Sequence, residues 1–283
     1  MFKTILIASV AISLANTAQA ASPAAQIEAA ERAFAADGLA MGMRDSFLKH
    51  MADDAIVFTP APTTARDVYG PLPSQGGAKN LEWWPAWIVA ARSGDLGLST
   101  GPTRIDGHGG RWYASIWRKD ADGTWRWIYD GGSVADTASA PSQETPAIAA
   151  PISKSGEASP AKAFEAVRTA EITLSQKAHQ DASQAYKAFL AADAHLIGPR
   201  GTRDLTATAV DQRLALRPAT MALTLRGGGA SKAGDLVWTY GEASWNAMGS
   251  QAGQNSVAAH YMHVWQRRPE GWRLIFETLI NDR

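Results

Sequence analysis

The chain has 283 residues, with 27 basic and 27 acidic side chains and no cysteine. Balanced charge removes the electrostatic footprint of a nucleic-acid binder and offers no polybasic handle for a membrane surface. Without cysteine, disulfides, thiolate nucleophiles and cysteine-ligated metals are excluded, so stability rests on packing, for which 11 tryptophans are the obvious material.

Residues 1–20 carry Lys3, an apolar run from Ile5 to Leu14, and Ala18-Gln19-Ala20. This is the pattern of a secretory signal peptide, which predicts a periplasmic or secreted protein. The apolar core falls short of the roughly 20 residues that span a bilayer, so no membrane association is expected once the signal is removed.

Ile27, Phe34, Leu39, Met43, Phe47 and Met51 recur at near-helical spacing and predict a helix over 24–52, loosened at Gly38 and Gly42. Residues 81–91 hold Trp83, Trp84 and Trp87 at helical spacing and read as a second, short helix that would roof a pocket or fill a core. The phrase GDLGLSTG, 94–101, then reads as a turn entering a strand, and strands over 111–119 and 125–129 follow around the Asp122-Gly123 turn. Asp95 belongs to the tight turn, where Asp bonds the local backbone. Residues 135–163, rich in Ala, Ser and Pro and free of aromatics, read as a linker.

The same order then returns. GDLVWTYG, 234–241, repeats the turn and strand at an offset of 140 residues, with Asp235 in the place of Asp95. Ahead of it a helix is expected over 163–192 and a short one over 207–216. Behind it come strands over 257–267 and 272–279. Tyr113, Trp117 and DGTWRWIYD face Tyr261, Trp265 and EGWRLIFE. The expected organisation is a first domain over 24–134, a linker over 135–163, and a second domain over 164–283. Helices followed by a curled antiparallel sheet make each an α+β unit.

The motifs Ala30-Glu31-Arg32-Ala33-Phe34, GMRDSFLKHMADD (42–54), Trp84-Pro85, SGDLGLSTGP (93–102) and Trp125 to Gly132 resemble the nuclear transport factor 2-like superfamily. That superfamily has a cone-shaped α+β fold and includes ketosteroid isomerase and the SnoaL-like cyclases. The first half is further similar to a family of uncharacterised secreted bacterial domains in it. The second half keeps GDLVWTYG, Tyr261, Trp265 and EGWRLI but lacks the Trp-Pro pair. The resemblance implies a pocket between the helices and the concave face of each sheet. It implies no reaction, because the fold serves many roles.

Alternation along a strand puts Tyr261, His263 and Trp265 on one face, with Tyr113, Ser115 and Trp117 as their counterparts. If that face is concave, these residues, with Tyr240 and Trp84, line a ligand pocket. His263 fits a general acid or base, or a packed histidine bonded to a neighbour. Glu242, in register with Trp238 and Tyr240, fits a carboxylate of raised pKa or a solvent-facing strand residue. Asp130 and Glu277 are equivalent acids near the ends of the last strands. Tyr113 and Asp130 remain in the first half, but no histidine there matches His263, so the second domain is expected to hold the more specialised pocket.

The opposite strand face is apolar as well, which predicts that both faces are covered. Sheet-to-sheet packing follows, either between the two halves as a pseudo-dimer or between chains as a homodimer. The six histidines show no metal-binding spacing, and Gly227-Gly228-Gly229 lacks the Lys-Ser/Thr of a phosphate loop, so no metal or cofactor is expected. Two functions stay open. One is a protein that binds a small apolar or aromatic molecule or acts structurally. The other is a proton-transfer enzyme of the isomerase, cyclase or dehydratase kind.

Overall fold

The computed structural model describes residues 21–77, 80–135, 137–138, 140–198, 203–204, 214–215, 217–246 and 256–281. The signal segment expected over 1–20 and most of the short helix expected over 207–216 lie outside these residues. No described helix is long and apolar enough to cross a membrane.

Helix α1 (Pro23–Met41) starts where the Ser22 hydroxyl accepts the Ala25 amide and Pro23 presets the first turn. Gly42, at φ +84°, ends it, so the single helix expected over 24–52 is two. Helix α2 (Met43–His50) runs directly into strand β1 (Met51–Phe58). There follow β2 (Pro62–Thr64), α3 (Ala65–Tyr69), β3 (Leu81–Trp83) and β4 (Trp87–Ala90). Residues 81–91 are therefore two short strands and not a helix. Pro85 has no amide to donate and pushes Trp84 toward extended backbone, so the helical spacing of the three tryptophans is never used.

Strands β5 (Leu96–Ile105), β6 (His108–Lys119) and β7 (Trp125–Val134) form an antiparallel meander, and β1 closes on β7 in parallel. The Ala/Ser/Pro-rich segment lies along this domain. Its strand β8 (Ile148–Ala149) pairs with β4, and Arg32 donates to the carbonyls of Gln143 and Thr145.

The second half repeats the plan. Helix α4 (Pro160–Ala178) opens on Ser159-Pro160 as α1 opens on Ser22-Pro23, and α5 (Ala182–Phe189) is capped by Asp181. Then come β9 (Leu190–Ile197), β10 (Arg203–Asp204), β11 (Ala222–Ala230), β12 (Leu236–Asn246), β13 (Ser256–Arg268) and β14 (Gly271–Asn281). The strand orders correspond: β1-β7-β6-β5-β4 in one sheet, β9-β14-β13-β12-β11 in the other. Each domain is an α+β cone, with its helices packed on the concave face of a curved sheet.

The convex faces meet each other. Trp112, Ile116 and Tyr129 of the first sheet share one buried apolar cluster with Trp238, Met262 and Phe276 of the second. Trp87 stacks on His195 at 3.9 Å across the same boundary. At one end the two GDL turns clasp. The Arg92 amide donates to Asp235 Oδ2 at 2.9 Å, and the Lys232 amide donates to Asp95 Oδ2 at 3.1 Å. Gly94 and Gly234, at φ +64° and +62°, give both turns the left-handed residue they need. The backbone amides that the turn aspartates accept thus come from the opposite domain, while within its own turn each accepts from a serine hydroxyl, Ser93 for Asp95 and Ser231 for Asp235.

Candidate functional site: a buried acid pair in each domain

The buried stripe of α1 reads Ile27, Glu31, Phe34 and Gly38, and that of α4 reads Val167, Glu171, Leu174 and Ala178, each 140 residues on. A glutamate therefore sits in the apolar face of each helix, aimed at the concave sheet. On the sheet, Ser115 pairs with Asp130, and His263 pairs with Glu277 at the matching register. The indole of Trp117 donates to Glu31 at 2.8 Å, as that of Trp265 does to Glu171 at 2.8 Å. Each cone thus holds one helix carboxyl, one strand carboxyl, a tryptophan donor and one residue between the acids.

In the second domain that residue is His263. Its Nδ1 lies 2.8 Å from Glu171 Oε1 and its Nε2 lies 2.7 Å from Glu277 Oε2. Burial opposes the imidazolium, but the charge of Glu171, followed by bonds to both glutamates, lifts its pKa to about 9. Burial would also raise Glu277, yet Arg217 and then His263 hold it down at about 2. Arg217 ion-pairs with Glu277, and the Tyr186 hydroxyl donates to the same carboxylate. Glu171, again against the pull of burial, is lowered by His263. Two cations balance two anions in a fully buried network, and every acid oxygen that faces His263 is engaged.

In the first domain the residue between the acids is Ser115. Its hydroxyl donates to Asp130 Oδ2 at 2.7 Å and also lies against Glu31. Glu31 accepts from Trp83 at 2.7 Å as well as from Trp117, and no buried cation stands beside it among the described residues. Burial raises Glu31 to about 7 despite these bonds. Burial likewise raises Asp130 to about 8, with Glu31 adding to the rise and Ser115 opposing it. Asp130 forms part of the wall of a cavity of about 360 Å³. Trp83, Phe34, Phe47 and Tyr69 make its aromatic side, with ring centroids 4.7–4.8 Å apart between successive partners. Tyr113 also lines it, its hydroxyl 2.8 Å from that of Ser99, and Ile280 of the second domain contributes to the lining. The volume suits a small organic ligand.

These placements correct several expectations. In the second domain, expected to hold the specialised pocket, Tyr261, His263 and Trp265 are fully buried, and Arg217 and His263 stand against Glu277, whereas its counterpart Asp130 lines the cavity in the first. His263 and Glu277 are partners in an ion network, not free catalytic groups. Glu242 does not sit in an aromatic setting with a raised pKa. It pairs with Arg226 at 2.9 Å, its side chain is 46 % exposed, and that bond lowers its pKa. Tyr240 faces the other domain, stacked on Trp238 at 5.5 Å and 6.0 Å from Phe58. Trp84 points away from the cavity, its indole donating to the Pro141 carbonyl at 2.9 Å. Its neighbour Trp83 takes the wall position instead. Tyr113 does line the cavity, whereas Trp117 stands behind it as a donor to Glu31. The residues that sequence reasoning left out are Glu31 and Glu171, although a carboxylate on each apolar stripe at the 140-residue offset marks them. Among the described residues no group of three or more His, Asp or Glu could hold a metal ion.

No family model and no curated protein matches this sequence. Solved structures with partial likeness include a ketosteroid isomerase-like protein from Erwinia carotovora atroseptica, at 11 % identity and TM-score 0.36, covering 42 % of this chain and 95 % of that one. A nuclear transport factor 2-like (NTF2-like) protein from Cytophaga hutchinsonii is 14 % identical, TM-score 0.34, covering 42 % of this chain and 97 % of its own. An NTF2-like protein with a cystatin-like fold from Novosphingobium aromaticivorans is 12 % identical, TM-score 0.34, covering 43 % and 83 %. The likeness to each of these proteins extends over somewhat less than half of this chain.

Proposed function

We propose that this is an exported protein whose first domain binds a small apolar or aromatic molecule and whose second domain serves as its closed structural partner. The observation that carries this reading is the cavity of about 360 Å³ bounded by aromatic rings with Asp130 in its wall. An apolar enclosure supplies affinity and one buried polar group supplies orientation. The test is a calorimetric titration of the mature chain with 1-naphthalenemethanol, set beside Thr103→Phe, which puts a ring into the cavity from β5. Binding to the wild type that is lost in the variant is expected. Equal binding by both, or binding by neither, overturns the reading. Export is tested by cell fractionation, with a periplasmic or secreted product lacking residues 1–20 as the expected form.

A second reading, proton transfer of the isomerase, cyclase or dehydratase type, is favoured by the same carboxyl. An acid lifted to about 8 is poised to take or give a proton near neutrality. Its measurement is deuterium exchange next to the carbonyl of an aromatic ketone such as 1-tetralone. Exchange above buffer that falls at least about a hundredfold in Asp130→Asn supports it, and exchange at the buffer rate sinks it.

A further inference from the structure

The two cones are a built-in comparison of what a buried acid pair takes when it is filled. In the second, the space between Glu171 and Glu277 is occupied by the His263 ring, with Arg217 behind it, so two nitrogen cations sit against two carboxylates. In the first, Glu31 and Asp130 hold the corresponding places, but the Ser115 hydroxyl stands between them in place of the imidazole, and among the described residues no ion pair is made to Asp130. Asp130 lines the cavity, whereas its counterpart Glu277 pairs with the Arg217 guanidinium in the sister domain. The aromatic side of the cavity, with Phe34, Phe47, Tyr69 and Trp83, is a surface that favours a cation over its ring faces.

We propose, resting on the reading that this cavity binds ligands, that the ligand class of the first domain is a small aromatic or aliphatic cation, an amine or amidine, whose nitrogen docks on Asp130. The ligand supplies from outside the positive charge that His263 supplies from within. Docking of a cation converts the neutral Asp130 acid to its carboxylate and releases that proton to solvent. Glu31 on α1, Tyr69 on α3, Tyr113 on β6 and Tyr129 on β7 are the titratable groups that act on or stand beside Asp130. All four are neutral or acidic, and none competes as a cation. Arg111 stands at the rim of the cavity, where its guanidinium bonds the Gly132 carbonyl at 3.4 Å and makes no ion pair with Asp130.

The experiment compares two probes of one shape, 1-naphthylmethylammonium and the neutral 1-naphthalenemethanol, by calorimetry on the mature full chain from pH 6 to pH 9. The expected result is a preference of at least about tenfold for the ammonium at pH 8, which shrinks by about tenfold per pH unit below that as Asp130 holds its proton. Ser115→His, which rebuilds the filled arrangement of the second domain, abolishes the preference. Should that variant not fold, Asp130→Asn serves in its place and is expected to bring the ratio of the two affinities to near one. Binding of the alcohol without a preference for the ammonium overturns the cation inference and leaves the ligand-binding reading standing. A preference that survives in Asp130→Asn also overturns it, because the charge would then be read elsewhere. Failure of both probes to bind removes both readings.

Discussion

Ser115 and His263 stand on corresponding rungs of their sheets, each between a helix glutamate and a strand acid, and this difference separates an acid pair with no buried cation beside it, among the described residues, from one held by a cation. With imidazole there, the acids are neutralised inside the protein. With a hydroxyl there, they are desolvated without a counter-charge, and burial raises both pKa values.

Removing the imidazole therefore costs more than removing the hydroxyl. His263→Ala leaves Glu171 without its cation and Glu277 with Arg217 alone, a loss of about 3–5 kcal/mol for a broken buried pair. Ser115→Ala deletes one donor to an acid pair in which, at pH 7, Asp130 is mostly protonated and Glu31 about half so, a loss of about 1–2 kcal/mol. Urea unfolding of both variants measures the difference, and equal losses would contradict the network described.

The acid pairs also set a pH dependence. Glu31 and Asp130, raised to about 7 and about 8, bind protons in the folded state that the unfolded chain has already released. Their stabilisation is complete below the ordinary carboxyl range and is lost as pH rises through 7 and 8. His263, raised to about 9, adds stability that is present below the ordinary imidazole value and is lost through pH 9. Glu277, held at about 2, acts in the opposite sense, losing its contribution as pH falls from the usual carboxyl value toward 2. Unfolding free energy should fall from pH 6 to pH 9, and Asp130→Asn should flatten the slope between pH 6 and pH 8. An unchanged slope would show that Asp130 is ionised throughout.

The two GDL turns should be energetically linked. Asp235→Ala removes a buried acceptor bonded by Arg92 of the other domain and by Ser231 of its own, and Asp95→Ala removes the more exposed reciprocal acceptor. Losses of about 1–3 kcal/mol are expected for Asp235→Ala and about 1 kcal/mol or less for Asp95→Ala. Denaturation of the singles and the double would read the coupling. Equal effects at the two sites would count against the burial difference.

Gly38→Ala tests the fit of helix to pocket wall. Helix propensity alone favours alanine by about 1 kcal/mol. An added Cβ would, however, lie 2.6 Å from the ring of Trp83 and displace the indole that donates to Glu31. A net destabilisation of about 1–3 kcal/mol is expected from the forced repacking. Thermal unfolding would decide, and a stabilised variant would mean the indole is free to shift.

Much of the architecture is legible in the sequence because the repeat doubles every signal. The Gly-Asp turns, the alternating strands and the serine-proline helix starts all appear twice. The short strands β3 and β4 were hidden by tryptophans at helical spacing, and Pro85 was the residue that should have outweighed them. The sheet side of the candidate site, Tyr113 and Asp130, can be found from register alone. The helix side cannot be found by following apolar periodicity, which passes over Glu31 and Glu171 because they are the polar members of an apolar stripe. Whether a strand acid meets a cation or a cavity depends on where a serine, a histidine and an arginine from a separate segment come to stand, and no pattern along the chain expresses that.

The clasp between Asp95 and Asp235 also bears on how such a pair can specialise. In an assembly of two identical chains, a substitution that plugs one interior plugs its mate, so a receptor and a rigid support cannot be separate inventions. Here the two halves are joined in one chain and bonded turn to turn, yet each position is encoded once. Position 115 can remain a serine while position 263 is a histidine, and the half that carries the ion network can be tuned for stability without touching the half that carries the aromatic cavity.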